Sequence, residues 1–165
     1  MSIATLAFKL LLRVRPQMVY DRIKQHMMDT LPFVRLLGIT IDAIGPGTAE
    51  VSMPSDEKLN NHLGTSHAGA LFTLAETASG AAMAGGFADL IMGLRPVAKE
   101  SRIQYLKVAK GATRASGRVP GDIGALKAQL KAEGKIAFPV EVDIIDAEGT
   151  LAAKVQVDWY LSEKR

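Results

Sequence analysis

The period of the apolar positions changes several times along the chain, and each change marks an element. From Met1 to Arg15, Ile3, Leu6, Leu10 and Val14 fall at helical spacing, which predicts an amphipathic helix packed on the rest of the protein. Pro16 suits the first turn of a second helix reaching about Thr30, and Leu31-Pro32 ends it. The period then becomes two. Leu37, Ile39, Ile41 and Ala43 alternate with polar or small residues, Gly45-Pro46-Gly47 turns the chain, and Ala49, Val51 and Met53 alternate again. A polar loop from Pro54 to Ser66 leads into a helix from about His67 to Ala84, with Ser66 or Thr65 as the expected cap and Gly85-Gly86 as the expected stop. Leu71, Leu74, Ala75, Ala78 and Ala82 form its apolar stripe, and its other faces carry so little charge that it should be buried on most sides.

The second half reads mostly as strand. Residues 96–108 look extended although their alternation is poor. Thr113, Ala115, Gly117 and Val119 alternate cleanly, as do Ile136 to Ile144 and Leu151 to Leu161. Between them Asp122 is placed to cap a short helix carrying Ile123, Leu126 and Leu130, with Gly134 as terminator. Pro139 hints at an edge or a bulge. Two strands, one Ala/Gly-rich helix and about four more strands suggest an α+β domain in which an antiparallel sheet packs on that helix. Residues 1–32 read as a helical appendage and 33–165 as the domain.

The 165 residues and 48% hydrophobic content fit one ordinary globular domain. With no cysteine, a disulfide framework, a Cys-ligated zinc and a thiol nucleophile are excluded; a reducing, cytoplasmic setting is expected. The net charge of +3 hides an uneven distribution. Residues 1–41 sum to +4, 42–94 to −5, 95–118 to +6 and 119–165 to −2. Apolar runs are too short to span a membrane. For residues 1–15, a membrane-surface contact and a cleaved leader are the alternatives to a packed helix.

His26, His62 and His67 have no metal-ligand spacing, and no phosphate loop, dinucleotide loop or nucleophile elbow occurs. No metal site is expected. One constellation remains: Asn61-His62-Leu63-Gly64-Thr65-Ser66-His67-Ala68-Gly69, followed by Glu76, the only ionised group between His67 and Ala88. The loop delivers polar groups to a helix N-terminus, whose free N–H groups at Ala68, Gly69 and Ala70 could bind a carbonyl oxygen gaining negative charge. Burial would raise the pKa of Glu76, which suits a general base. Each residue also has a plain structural role available: Asn61 bracing its loop, His67 hydrogen bonding at the helix start, Glu76 as a satisfied acid.

Asn61-x-x-Gly64-x-x-His67-x-Gly69 with Glu76 resembles the motif of PaaI-like hotdog-fold acyl-CoA thioesterases, and Tyr105 to Gly111 resembles a later stretch of that family. The likeness covers about residues 33–162 and is strongest to a branch labelled as a domain of unknown function. It implies a hotdog fold and a homodimer or homotetramer with active sites between subunits. It also implies hydrolysis of acyl-CoA to acid and CoA, with no cofactor beyond the coenzyme in the substrate. Under it Glu76 is base or nucleophile, the Gly69 amide, joined by that of Ala68, polarises the carbonyl, Asn61 orients water or acyl group, and His67 shapes the loop. Gly64 and Ala68 lie along the substrate's path. Many members have glycine at the place of Ala68 and aspartate at that of Glu76. Coenzyme A carries phosphates, and Arg95, Lys99, Lys107, Lys110 and Arg114 of the +6 stretch are candidates to hold them; a solvated strand face is the alternative. With 5% aromatic residues, no nucleic-acid partner is expected. The rival functions are a non-catalytic acyl or acyl-CoA binding protein, a hotdog dehydratase or hydratase resting on His67, and an interaction protein whose basic N-terminal helices touch a membrane.

Overall fold

The computed structural model describes residues 10–164. Residues 10–14 are helical, and α1 (Pro16–Thr30) and α2 (Pro32–Leu36) follow, each with a proline in its first turn. Of the expected packed face at the start, Ile3 and Leu6 lie outside the described residues, and Leu10 and Val14 are exposed. Leu11 and Leu12 lean on the core instead. Three consecutive leucines let the helix turn a different side inward from the one the spacing suggested. In α1, Val19 and Ile23 are buried, and the helix lies against the first strand and the central helix.

The sheet begins with β1 (Thr40–Gly45) and β2 (Thr48–Met53). The central helix α3 (Ala68–Gly86) comes next, then β3 (Leu94–Tyr105), β4 (Thr113–Arg118), the short helix α4 (Ile123–Glu133), β5 (Lys135–Ile145) and β6 (Leu151–Glu163). All neighbouring strands are antiparallel, in the order β1-β2-β4-β5-β6-β3. The expected α+β arrangement of a sheet wrapped on one helix is what forms, and it is a hotdog fold.

Alternation decides the layering. Ala115, Val140, Val142, Val155 and Val157 face α3 and are buried, while Arg114, Ser116, Asp143, Lys154 and Gln156 face outward. The anticipated stripe of α3, Leu71, Leu74, Ala75, Ala78 and Ala82, is buried throughout. Small residues let the helix sink onto the strands. A Cβ on Gly117 would lie 2.6 Å from the Ala78 carbonyl oxygen. α3 does end at the expected Gly85-Gly86 pair, but both glycines are still helical. A Cβ on Gly85 would lie 2.1 Å from the Gly45 carbonyl oxygen, so glycine there admits the β1–β2 turn.

Asp122 caps α4 as expected, accepting the Gly124 N–H at 2.7 Å, and Gly134 ends it at φ +69°. β5 is an inner strand, but Pro139 lies beyond its last pair with β4 (Arg118 with Glu141), where β5 has β6 alone. The edge signal is therefore local. The stretch expected to be extended to residue 108 ends as strand at Tyr105.

Candidate active site

The loop before α3 is built on itself. Asn61 donates from Nδ2 to Thr65 Oγ1 at 2.9 Å, and its Oδ1 accepts the N–H groups of Leu63 (2.9 Å) and Thr65 (3.3 Å). Its carboxamide oxygen and one of its two amide protons thus brace the loop, the structural role available to it. Gly64 takes φ +72°, a left-handed turn that favours glycine. The loop is held from outside as well: Ser66 N–H donates to the Ala109 carbonyl at 3.3 Å and His67 N–H to that of Leu59 at 2.8 Å.

The cap of α3 is His67, not Ser66 or Thr65. Its backbone is extended (φ −66°, ψ 137°), and its Nδ1 accepts the Gly69 N–H at 2.9 Å. The Ala70 and Leu71 N–H groups both donate to the His67 carbonyl. This changes the expected carbonyl-binding group. The Gly69 amide is already engaged, whereas the exposed Ala68 N–H has no acceptor among the described residues. Because Nδ1 accepts, a neutral His67 ring carries its proton on Nε2.

Glu76 lies two turns further along α3 and is half-buried. Burial pushes its carboxyl above the ordinary glutamate range, as anticipated for a base. Among the described residues its carboxylate takes part in no ion pair or hydrogen bond. Eight residues of helix separate Ala68 from Glu76, an axial distance of about 12 Å. The two positions therefore stand two turns apart on α3 rather than side by side.

Two groups that the sequence did not single out as site residues support this region. The Tyr105 hydroxyl donates to the Ala68 carbonyl at 3.1 Å, tying the end of β3 to the first turn of α3, and partial burial raises its pKa. Trp159 Nε1–H donates to Ser79 Oγ at 3.1 Å, and the Ser79 hydroxyl donates to the Glu76 carbonyl at 2.8 Å. This buried link fixes the turn that presents Glu76. Inward parity along β3 and β6 was the available signal for Tyr105 and Trp159, but parity does not reveal which helix residue a side chain meets.

The cationic candidates separate. Lys107 and Lys110 sit in the loop after β3, the loop tied to Ser66 through Ala109. Arg114 faces outward and lines, with Thr40, Asp42 and Ser52, a groove of about 710 Å³ that reaches the same loop at Ala112. Arg95 is at the opposite end of β3, about 30 Å away along the strand, and Lys99 marks the bulge between Ala98 and Glu100. Within one chain the five cations do not gather at one place; Lys107 and Lys110 are the two in the loop tied to the helix start. Among the described residues no three His, Asp or Glu side chains gather as a metal site, and no helix is long and apolar enough to cross a membrane.

The family model for DUF4442, a domain of unknown function, matches residues 20–161. The chain belongs to this family. Its fold is also that of solved hotdog proteins of the thioesterase superfamily. PA5026 of Pseudomonas aeruginosa, described as of unknown function and a probable thioesterase, is 27% identical (TM-score 0.77), over 87% of this chain and 96% of that one. The Escherichia coli PaaI protein from the phenylacetic acid degradation operon is 20% identical (TM-score 0.71; 90% and 96% covered). A thioesterase family protein of Silicibacter pomeroyi is 19% identical (TM-score 0.72; 88% and 99% covered). No curated protein matches the chain. At these identities the hotdog frame is shared, and what this DUF4442 domain does with it rests on its own residues.

Proposed function

We propose that the protein hydrolyses acyl-CoA thioesters as a dimer, each site combining the α3 N-terminus of one copy with Glu76 of the other. The observation that carries this reading is the pair of groups on α3 without partners among the described residues, the Ala68 N–H and a desolvated Glu76, two turns apart on one helix. A second copy has a place to attach. β3 is one of the sheet's two edge strands, nine of its twelve residues are exposed, and Val97 and Tyr105 are exposed on opposite sides of it. A long open edge invites pairing with another strand.

In the reaction the Ala68 N–H binds the thioester carbonyl oxygen. Glu76 takes a proton from water as its oxygen attacks the carbonyl carbon and the C=O electrons move onto oxygen. Collapse of the tetrahedral intermediate breaks the C–S bond, and the thiolate leaves as CoA and takes up the proton. A fixed amide donor at the developing oxyanion contributes about 10²–10³-fold, and a positioned base about 10²–10⁴-fold. His67 holds the Gly69 amide and keeps the first turn in shape. Lys107 and Lys110 are the cations placed to meet CoA phosphates.

Release of free thiol from a panel of acyl-CoAs tests the reading. Turnover on at least one member is expected, with Glu76→Gln reducing it by at least about 10²-fold. Binding without turnover would favour the non-catalytic rival, and full activity of Glu76→Gln would remove Glu76 from its role.

A further inference from the structure

The region before α1 carries none of the residues of the proposed site, and the family match begins only at residue 20. Its side chains are nonetheless unusual for a protein surface. Leu10 and Val14, one helical turn apart, are 62% and 68% exposed, and Met18 in the first turn of α1 is 40% exposed. Arg13, Arg15 and Arg22 beside them are exposed, and among the described residues no ion pair engages any of the three. The α1 cap position is Arg15, whose side chain caps nothing. Through Tyr20 the sequence holds three cations, Lys9, Arg13 and Arg15, and no acid.

We propose that this segment is an interfacial anchor that seats the protein on an anionic lipid surface. Leu10 and Val14 protrude beside Arg13 and Arg15 with no acid up to Tyr20, a pattern that matches the boundary between acyl chains and phosphate headgroups. Leu10 and Val14 enter the acyl boundary, and Arg13 and Arg15 pair with headgroup phosphates. Leu11 and Leu12 hold the segment to the core from the other side. An acidic protein surface would satisfy the arginines, but it would leave separate protruding aliphatic chains without a groove to enter.

Co-sedimentation of the full chain with phosphatidylcholine vesicles, with and without 30% phosphatidylglycerol, tests this. The protein is expected to pellet with the anionic vesicles, to be released by high salt, and to stay soluble with the neutral ones. Arg13→Gln with Arg15→Gln should weaken binding about 25-fold, roughly fivefold for each cation near the surface. Leu10→Asp with Val14→Asp should abolish it, while circular dichroism and thermal unfolding of both variants remain those of the wild type. Equal pelleting with both vesicle types, no pelleting with either, or unchanged binding by the variants would overturn the anchor. None of these outcomes depends on thioester hydrolysis.

Discussion

At the first turn of α3 the His67 ring accepts the Gly69 N–H, while the Ala68 N–H has no acceptor among the described residues. Glu76 stands out in the sequence as the only ionised group between His67 and Ala88, and burial does raise its pKa. Ala68 was harder to choose over Gly69. Glycine looks like the place for close approach, yet the His67 ring closes over its N–H, and cap geometry is not written in residue spacing. The choice can be checked. Ala68→Pro removes the open N–H at the first helical position, where proline is tolerated, and His67 before it is already extended. The variant should fold normally and lose about 10²-fold or more in kcat/KM. His67→Ala should lower stability by about 1 kcal/mol through loss of the cap, measured by denaturant unfolding, and His67→Asn should recover most of that loss. The raised carboxyl pKa of Glu76 sets two pH effects. Folding disfavours its ionised form, so Glu76→Gln should unfold at higher temperature than wild type at neutral pH, with the gain vanishing as acid protonates Glu76 in both states. The acid limb of kcat/KM should accordingly lie above the ordinary glutamate value of about 4.3.

Elements with one wet and one dry face were legible, and those without were not. β4, β5 and β6 alternate because they are covered on one side, and they were placed nearly to the residue. β3 alternates poorly because most of it is exposed on both sides, and its end was overrun by three residues. Gly85-Gly86 illustrates a second ambiguity, since a helix stop and a close backbone approach both call for glycine. Here the helix ends at the pair and Gly85 also makes the approach, so Gly85→Ala should cost about 1–3 kcal/mol or more as the β1–β2 turn is pushed away. The link from Trp159 through Ser79 to the Glu76 carbonyl joins strand to helix across 80 residues, a distance no local pattern reports. Ser79→Ala would leave the buried indole N–H unpaired, an expected loss of about 1–3 kcal/mol in chemical denaturation.

At the scale of the molecule, the +3 net charge divides into regions with different work. The basic start carries the proposed lipid anchor, the acidic stretch holds the proposed base, and the basic stretch after α3 supplies Lys107 and Lys110 beside the helix start. The proposed site takes its Ala68 N–H from one copy and its Glu76 from another, with the β3 edge as the place where a second copy attaches. Subunit complementation measures this. Ala68→Pro and Glu76→Gln chains, each carrying a different affinity tag, are co-expressed, and the mixed dimer is isolated on both tags and assayed for thiol release. Each parent homodimer should be nearly inactive, and the mixed dimer, with one intact site in two, should recover about half the wild-type turnover per dimer. A mixed dimer as inactive as its parents would contradict a site shared between two copies.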